Sequence, residues 1–181
     1  MRTAIAALVL IGTCAAPAAA QAGRFYAGAV AGVDSGSRGP IGGGSFPTAG
    51  AIVGTRIGGG WSAELEVERG FRTQERPGRS LYVSEKADLG WSGLAVWRSR
   101  QPGRVNAAVF GGITSRRFKA RLPDQVEQTI TGKGLTGGGM LLIRIAGPFT
   151  LAPEFRYTAG LITDESTYRV SRVAVRALWN F

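Results

Sequence analysis

Residues 149–161 read Phe149-Thr150-Leu151-Ala152-Pro153-Glu154-Phe155-Arg156-Tyr157-Thr158-Ala159-Gly160-Leu161. Taken alternately, Phe149, Leu151, Pro153, Phe155, Tyr157, Ala159 and Leu161 form one set and Thr150, Ala152, Glu154, Arg156, Thr158 and Gly160 the other. Successive side chains of a strand point to opposite sides, so this period of two predicts a strand with one apolar and one polar face. Trp61 to Phe71 repeats the pattern, with Trp61, Ala63, Leu65, Val67 and Phe71 opposed to Ser62, Glu64, Glu66, Glu68 and Gly70.

The same alternation runs outward from Arg24 to the end of the chain, broken by glycine, proline and polar clusters, with no 3.6-residue apolar stripe of helical length. It predicts eight strands, at 24–34, 48–57, 61–72, 81–98, 104–117, 129–145, 149–162 and 168–181. The connections alternate. Gly58-Gly59-Gly60, Ser99 to Gly103 and Ala146-Gly147-Pro148 are short, whereas 35–47, 73–80, 118–128 and 163–167 are longer or more polar. Short turns at one end and long loops at the other are the mark of an eight-stranded antiparallel up-and-down transmembrane β-barrel, all-β, with both termini on the short-turn, periplasmic side.

Period alone does not say which face points inward, because a soluble barrel hides its apolar face and a lipid-embedded barrel shows it. The polar face decides. It carries Arg56, Glu64, Glu66, Glu68, Arg144, Glu154, Arg156, Arg172 and Arg176, a mixture of acids and bases that can neutralise one another inside a narrow lumen. The opposite face carries Trp61, Leu65, Leu141, Ile143, Ile145, Phe149, Leu151, Phe155, Val173, Val175, Trp179 and Phe181. Phe25, Trp61, Trp97, Phe149, Trp179 and Phe181 all fall at the short-turn ends of their strands, as the interfacial girdle of a membrane barrel requires. Glycine, 28 of 181 residues, is about twice as frequent as usual. Many of these glycines lie inside strands, where a tightly coiled small barrel leaves little room for side chains.

Residues 1–20 have the three parts of a cleaved export signal: basic Arg2, an apolar run from Ala4 to Ile11, and Ala18-Ala19-Ala20 before Gln21. The expected organisation is therefore a signal at 1–20 and one barrel domain at 21–181. Cys14, the single cysteine, falls within the signal, and Thr13 before it is bulky for a lipoprotein site. The mature chain then has no disulfide and no thiolate. A net charge of +10 would suggest nucleic acid in the cytoplasm. Export removes that partner and leaves anionic lipid.

The last strand, Val173-Ala174-Val175-Arg176-Ala177-Leu178-Trp179-Asn180-Phe181, alternates and ends on an aromatic residue. Over residues 24–181 the chain resembles the eight-stranded outer-membrane barrels of the OmpA and OmpX type. That resemblance implies that Val173, Val175, Ala177, Trp179 and Phe181 form the signal read by the barrel-assembly machinery. Ala174 to Ala177 depart from the pattern in lacking a glycine. Relatives that act on lipid A use a histidine beside a serine, and this chain has no histidine, so no enzymatic activity is expected. Gly132-Lys133-Gly134-Leu135-Thr136-Gly137 fits G-x-G-x-x-G, but Met140 to Ile145 continues as a strand where a dinucleotide site needs a helix. Neither cofactor nor metal is expected.

Basic residues also occur on the lipid-facing parity: Arg69, Arg117, Lys119, Arg121, Lys133 and Arg169, all toward the long-loop end. Arg117, Lys133 and Arg169 each lie twelve residues from the short-turn ends of their strands, at Val105, Ile145 and Phe181. At roughly 2.5 Å of climb per residue they stand about 30 Å up, just above an apolar band of about 25 Å. They are expected to form a collar for lipopolysaccharide headgroups. The functional expectation is a non-enzymatic surface barrel serving envelope integrity or surface interaction, with its loop partner unspecified. A narrow pore is the alternative, and a soluble ligand-binding barrel is disfavoured by the charged face.

Overall fold

A strand leaves one row of backbone donors and acceptors open on each edge, and only a closed sheet satisfies them all without water. The computed structural model, which describes residues 24–38, 44–71, 73–75, 84–99, 103–121, 127–162 and 167–181, closes in this way. Its strands are β1 (Phe25–Arg38), β2 (Ser45–Gly58), β3 (Trp61–Gly70), β4 (Thr73–Glu75), β5 (Ser84–Arg98), β6 (Val105–Arg121), β7 (Glu127–Ala146), β8 (Phe149–Ile162) and β9 (Thr167–Asn180). The short β4 pairs with β5 beyond the end of β3, so the barrel has eight staves. Neighbours are antiparallel and sequential. The sheet closes where β1 pairs β9, with Ala29 opposite Ala177, and where β3 pairs β5, with Leu65 opposite Gly93.

The strands run past their expected ends on the long-loop side. β1 continues to Arg38, β2 starts at Ser45, β6 reaches Arg121 and β7 begins at Glu127, so parts of the segments expected as loops at 35–47 and 118–128 are hairpin. Polarity marked the expected boundaries, but a hydrogen-bonded ladder needs no apolar outer face once it has risen above lipid. Phe46, Phe118, Ile130, Tyr168 and Val170 cluster inside this upper part and hold it together, with Phe118 and Tyr168 edge to face at 6.1 Å. Conversely, the third strand ends at Gly70, short of Phe71, while residues 84–98 of the strand expected at 81–98 form β5 and residues 72 and 81–83 lie outside the described residues. The export signal expected at 1–20, with Cys14, lies outside the described residues.

Alternation sets the inside and the outside. β3 reads exposed, buried, exposed, buried over its whole length, with Glu64, Glu66 and Glu68 buried while Trp61, Leu65 and Val67 face outward. β9 does the same with Arg172 and Arg176 inside and Val173, Val175 and Trp179 outside. The outer belt of Val53, Leu65, Trp91, Val109, Ile113, Leu135, Leu141 and Phe155 is far more continuous than the apolar patches of a few hundred Å² found on water-soluble monomers. Gly58, Gly59, Gly60 and Gly147 make the tight turns with φ of +128°, +64°, +88° and +51°, a region closed to most side chains.

Inside, glycines make space for large neighbours. A Cβ on Gly138 would sit 2.8 Å from Cζ of Phe110 and closer still to the Phe155 carbonyl oxygen, and one on Gly132 would sit 2.9 Å from the Tyr168 ring. The G-x-G-x-x-G run thus lies in continuous β7, and its first glycine accommodates Tyr168. Adding a methyl at a backbone-limited position should cost about 1–3 kcal/mol, as overpacking does. Gly138→Ala is therefore expected to lower barrel stability by that amount in urea-dependent folding into vesicles. Gly137→Ala, whose Cβ would meet its nearest neighbour at 3.4 Å, should change it far less.

Candidate functional site

Carboxylates and guanidiniums cannot remain ionised in a dry lumen unless each finds an opposite charge and enough hydrogen bonds. Glu66, fully buried on β3, meets both needs. Arg156 donates to its two oxygens at 3.1 and 2.7 Å, Arg172 donates at 2.7 Å, and Arg176 at 3.1 Å. Arg176 reaches further, donating to Glu154 and to Glu64 at 2.5 Å each. Arg172 also donates to Glu68. These contacts join β3, β8 and β9 through the middle of the barrel.

The network continues into residues that the sequence reading did not single out. Arg116 on β6 donates to Asp34 at 2.7 Å and to Glu68. Tyr26 donates to Glu64 at 2.5 Å, and Arg98 lies 3.6 Å from the same carboxylate. Asp34, Glu64, Glu66, Glu68 and Glu154 thus face Arg98, Arg116, Arg156, Arg172 and Arg176, so five negative charges meet five positive ones among the described residues. The opposite wall is apolar, built from Leu94, Val96, Phe110, Met140 and Leu142. The Arg156 and Arg176 guanidiniums each lie 5.3 Å from the centre of the Phe110 ring.

Seven of the nine residues expected in the lumen network are brought together, and two are not. Arg56 and Arg144 keep the luminal parity but sit at the short-turn mouth, where Arg56 donates to Asn180 at 2.7 Å and Arg144 is exposed. Their positions near strand ends explain this, because the last luminal place of a strand opens to solvent. Asp34 and Arg116 were missed for a related reason. Asp34 looked like the end of its strand, and Arg116 stands beside Arg117, so only the register tells which of the two points inward.

On the outside, Arg69, Arg117, Lys133 and Arg169 are exposed, and Lys119 is half-buried. The Arg121 side chain lies outside the described residues. Arg117 is opposite Thr131 and Lys133 opposite Ser115, which makes Arg117 and Lys133 diagonal neighbours on one face. Lys133 also pairs with Leu161, and Arg169 with Ala159 two places along β8. Arg69 has Asp88 at 4.0 Å. Val173, Val175, Trp179 and Phe181 face outward, with Ala177 between them half-buried. At the short-turn rim Trp61 is opposite Trp97 and Phe149 opposite Trp179.

A closed barrel that turns its charges inward and its apolar side chains outward is an integral outer-membrane β-barrel protein. The chain belongs to the outer membrane protein beta-barrel domain family, whose sequence model matches residues 5–181. Its fold is similar to that of Neisserial surface protein A, with a TM-score of 0.69 and 13% identity over 87% of this chain and 97% of that one. The N-terminal barrel of Pseudomonas aeruginosa OprF matches with a TM-score of 0.58 and 11% identity, covering 88% and 100% of the two chains. Ail, the attachment invasion locus protein of Yersinia pestis, matches at 0.56 and 12%, covering 87% and 97%. No curated relative matches the sequence.

Removing one partner of a buried ion pair leaves the other uncompensated and costs about 3–5 kcal/mol. Glu66→Ala is expected to destabilise the barrel by that order, read as a lowered urea midpoint of folding into vesicles. Outward Arg69→Ala should shift stability by no more than about 0.5 kcal/mol.

Proposed function

We propose that this protein is a non-enzymatic barrel of the outer membrane that binds lipopolysaccharide through its outer collar and so supports envelope integrity, with both termini periplasmic. The observation that carries the reading is the outward exposure of Arg117, Lys133 and Arg169 in the long-loop halves of β6, β7 and β9. A guanidinium or ammonium at the lipid–water boundary forms strong charge-assisted hydrogen bonds with phosphate. The long hairpins beyond the collar offer a surface for a further partner, whose chemistry is left open. The outward face of β9, with Val173, Val175, Trp179 and Phe181, is the segment for the barrel-assembly machinery during biogenesis. Nucleic acid has no place among the partners of an exported chain.

Two features support a non-enzymatic role. The chain has no histidine, and the five luminal carboxylates lie against arginines rather than facing an open cleft. The pore alternative is disfavoured because buried Arg172, Arg176, Phe110 and Tyr168 fill the lumen. A polyanion fits a barrel of this kind: Ail of Yersinia pestis has been crystallised with the heparin analogue sucrose octasulfate.

Replacing Arg117, Lys119, Arg121 and Lys133 together by glutamine tests the collar. Lipopolysaccharide added to the detergent-solubilised parent is expected to raise its melting temperature by several degrees, and this gain should be largely lost in the variant. Equal stabilisation of both proteins would refute the collar.

A further inference from the structure

At the short-turn mouth the lumen opens into a cavity of about 470 Å³. Arg56, Arg98, Arg104 and Arg144 line it from four different staves or their ends, and among the described residues no carboxylate side chain is on its lining. The five carboxylates of the lumen already face five arginines, with Arg98 one of them. Arg104 and Arg144, both exposed on this lining, therefore add positive charge beyond the five arginines that face the five carboxylates.

Arg98 gives the mouth a fixed floor. Its guanidinium lies 4.6 Å from the centre of the Tyr26 ring, and Tyr26 is itself anchored on Glu64 at 2.5 Å. Its contact with Glu64, at 3.6 Å, is an ion pair too long for a hydrogen bond. Nε and Nη2 of Arg98, on this lining, are buried without a hydrogen-bond partner. Buried donors left unmatched beside surplus positive charge are the complement of an anion. Guanidinium forks match tetrahedral oxyanions two bonds at a time, and the cavity lies in the range of roughly 300–1,000 Å³ usual for small-molecule sites. It has room for more than a single phosphate group.

We propose that the short-turn mouth is a binding site for a phosphate-bearing anion with two or more negative charges, held by Arg56, Arg98, Arg104 and Arg144. Such a phosphate arrives either on a soluble molecule or on the headgroup of a lipid folded over the rim. The site is separate from the outer collar, being on the opposite end and the inner face of the barrel.

The test uses the full barrel folded in phosphatidylcholine nanodiscs, titrated calorimetrically with inorganic pyrophosphate. The parent should bind it saturably, and the affinity should fall as salt is raised because opposite charges are screened. An R56Q/R104Q/R144Q variant, with Arg98 retained, should bind at least about tenfold more weakly, a difference of about 1.4 kcal/mol. V109A, altered only on the lipid-facing side, should match the parent. A β-sheet circular dichroism spectrum checks folding. Should the triple variant fail to fold, R144Q alone, at an exposed position, should still weaken binding several-fold. A second arm repeats the comparison by melting temperature in nanodiscs with added cardiolipin, which carries two phosphates. Stabilisation of the parent over the variant in this arm, without pyrophosphate binding, assigns the phosphate to lipid. Pyrophosphate binding assigns it to a soluble ligand. Equal binding by parent and arginine variants, or no response in either arm, would overturn the site.

Discussion

The arrangement of three arginines around Glu66 is the constraint from which most of this molecule follows. Eight strands enclose a lumen that side chains fill, so every charge placed there must meet its opposite within a few ångströms. The structure achieves this with Arg156, Arg172 and Arg176 on two adjacent staves and Glu66 on a third, closing the ring across the barrel rather than along one hairpin. A slip of one residue in any of these strands would turn a glutamate or arginine into lipid and a leucine or valine into the charge cluster. Register, inside and outside, and the apolar belt are thus one decision expressed in different places.

The rest of the interior adapts to that cluster. Phe110 presents its face to two of the guanidiniums, and Gly138 opposite it leaves the space its ring needs. Paired hydroxyls, Ser92 with Thr114 and Thr136 with Thr158, satisfy polar positions that lie away from the ion pairs. Above, Phe46, Phe118, Ile130, Tyr168 and Val170 close the long-loop end. Outside this filled and paired body the exposed basic side chains gather at two places: on the outer face toward the long loops, and inside the short-turn mouth.

The period of two made the barrel legible before any coordinates. Glu64, Glu66, Glu68, Arg172 and Arg176 announced themselves because each repeats on one parity within an otherwise apolar strand. Trp61, Trp97 and Trp179 marked the rim for the same reason. What could not be read was height and partnership across distant strands. Arg56 and Arg144 share the parity of Arg176, yet the end of a strand places them at an open mouth rather than in the sealed middle. Arg116 and Arg117 are neighbours in sequence with opposite destinations, and only the pairing of β6 with β5 and β7 separates the inward residue from the outward one. The upper strand ends were hidden because hairpins above the lipid lose the apolar contrast that reveals a strand.

The central claim, that the charged face is inside and the apolar face lies in lipid, is open to one direct measurement. All four tryptophans, Trp61, Trp91, Trp97 and Trp179, point outward. Trp91 lies six residues above Trp97 on β5, about 15 Å up the barrel and so near the middle of the apolar band. Single-tryptophan variants retaining Trp91 or Trp97 would be folded into bilayers whose acyl chains carry bromine at defined depths. The account predicts that bromines near the bilayer centre quench Trp91 more strongly than Trp97, that bromines near the headgroups reverse this order, and that aqueous iodide has little effect on Trp91. Strong quenching of Trp91 by iodide, with no response to brominated chains at any depth, would contradict it.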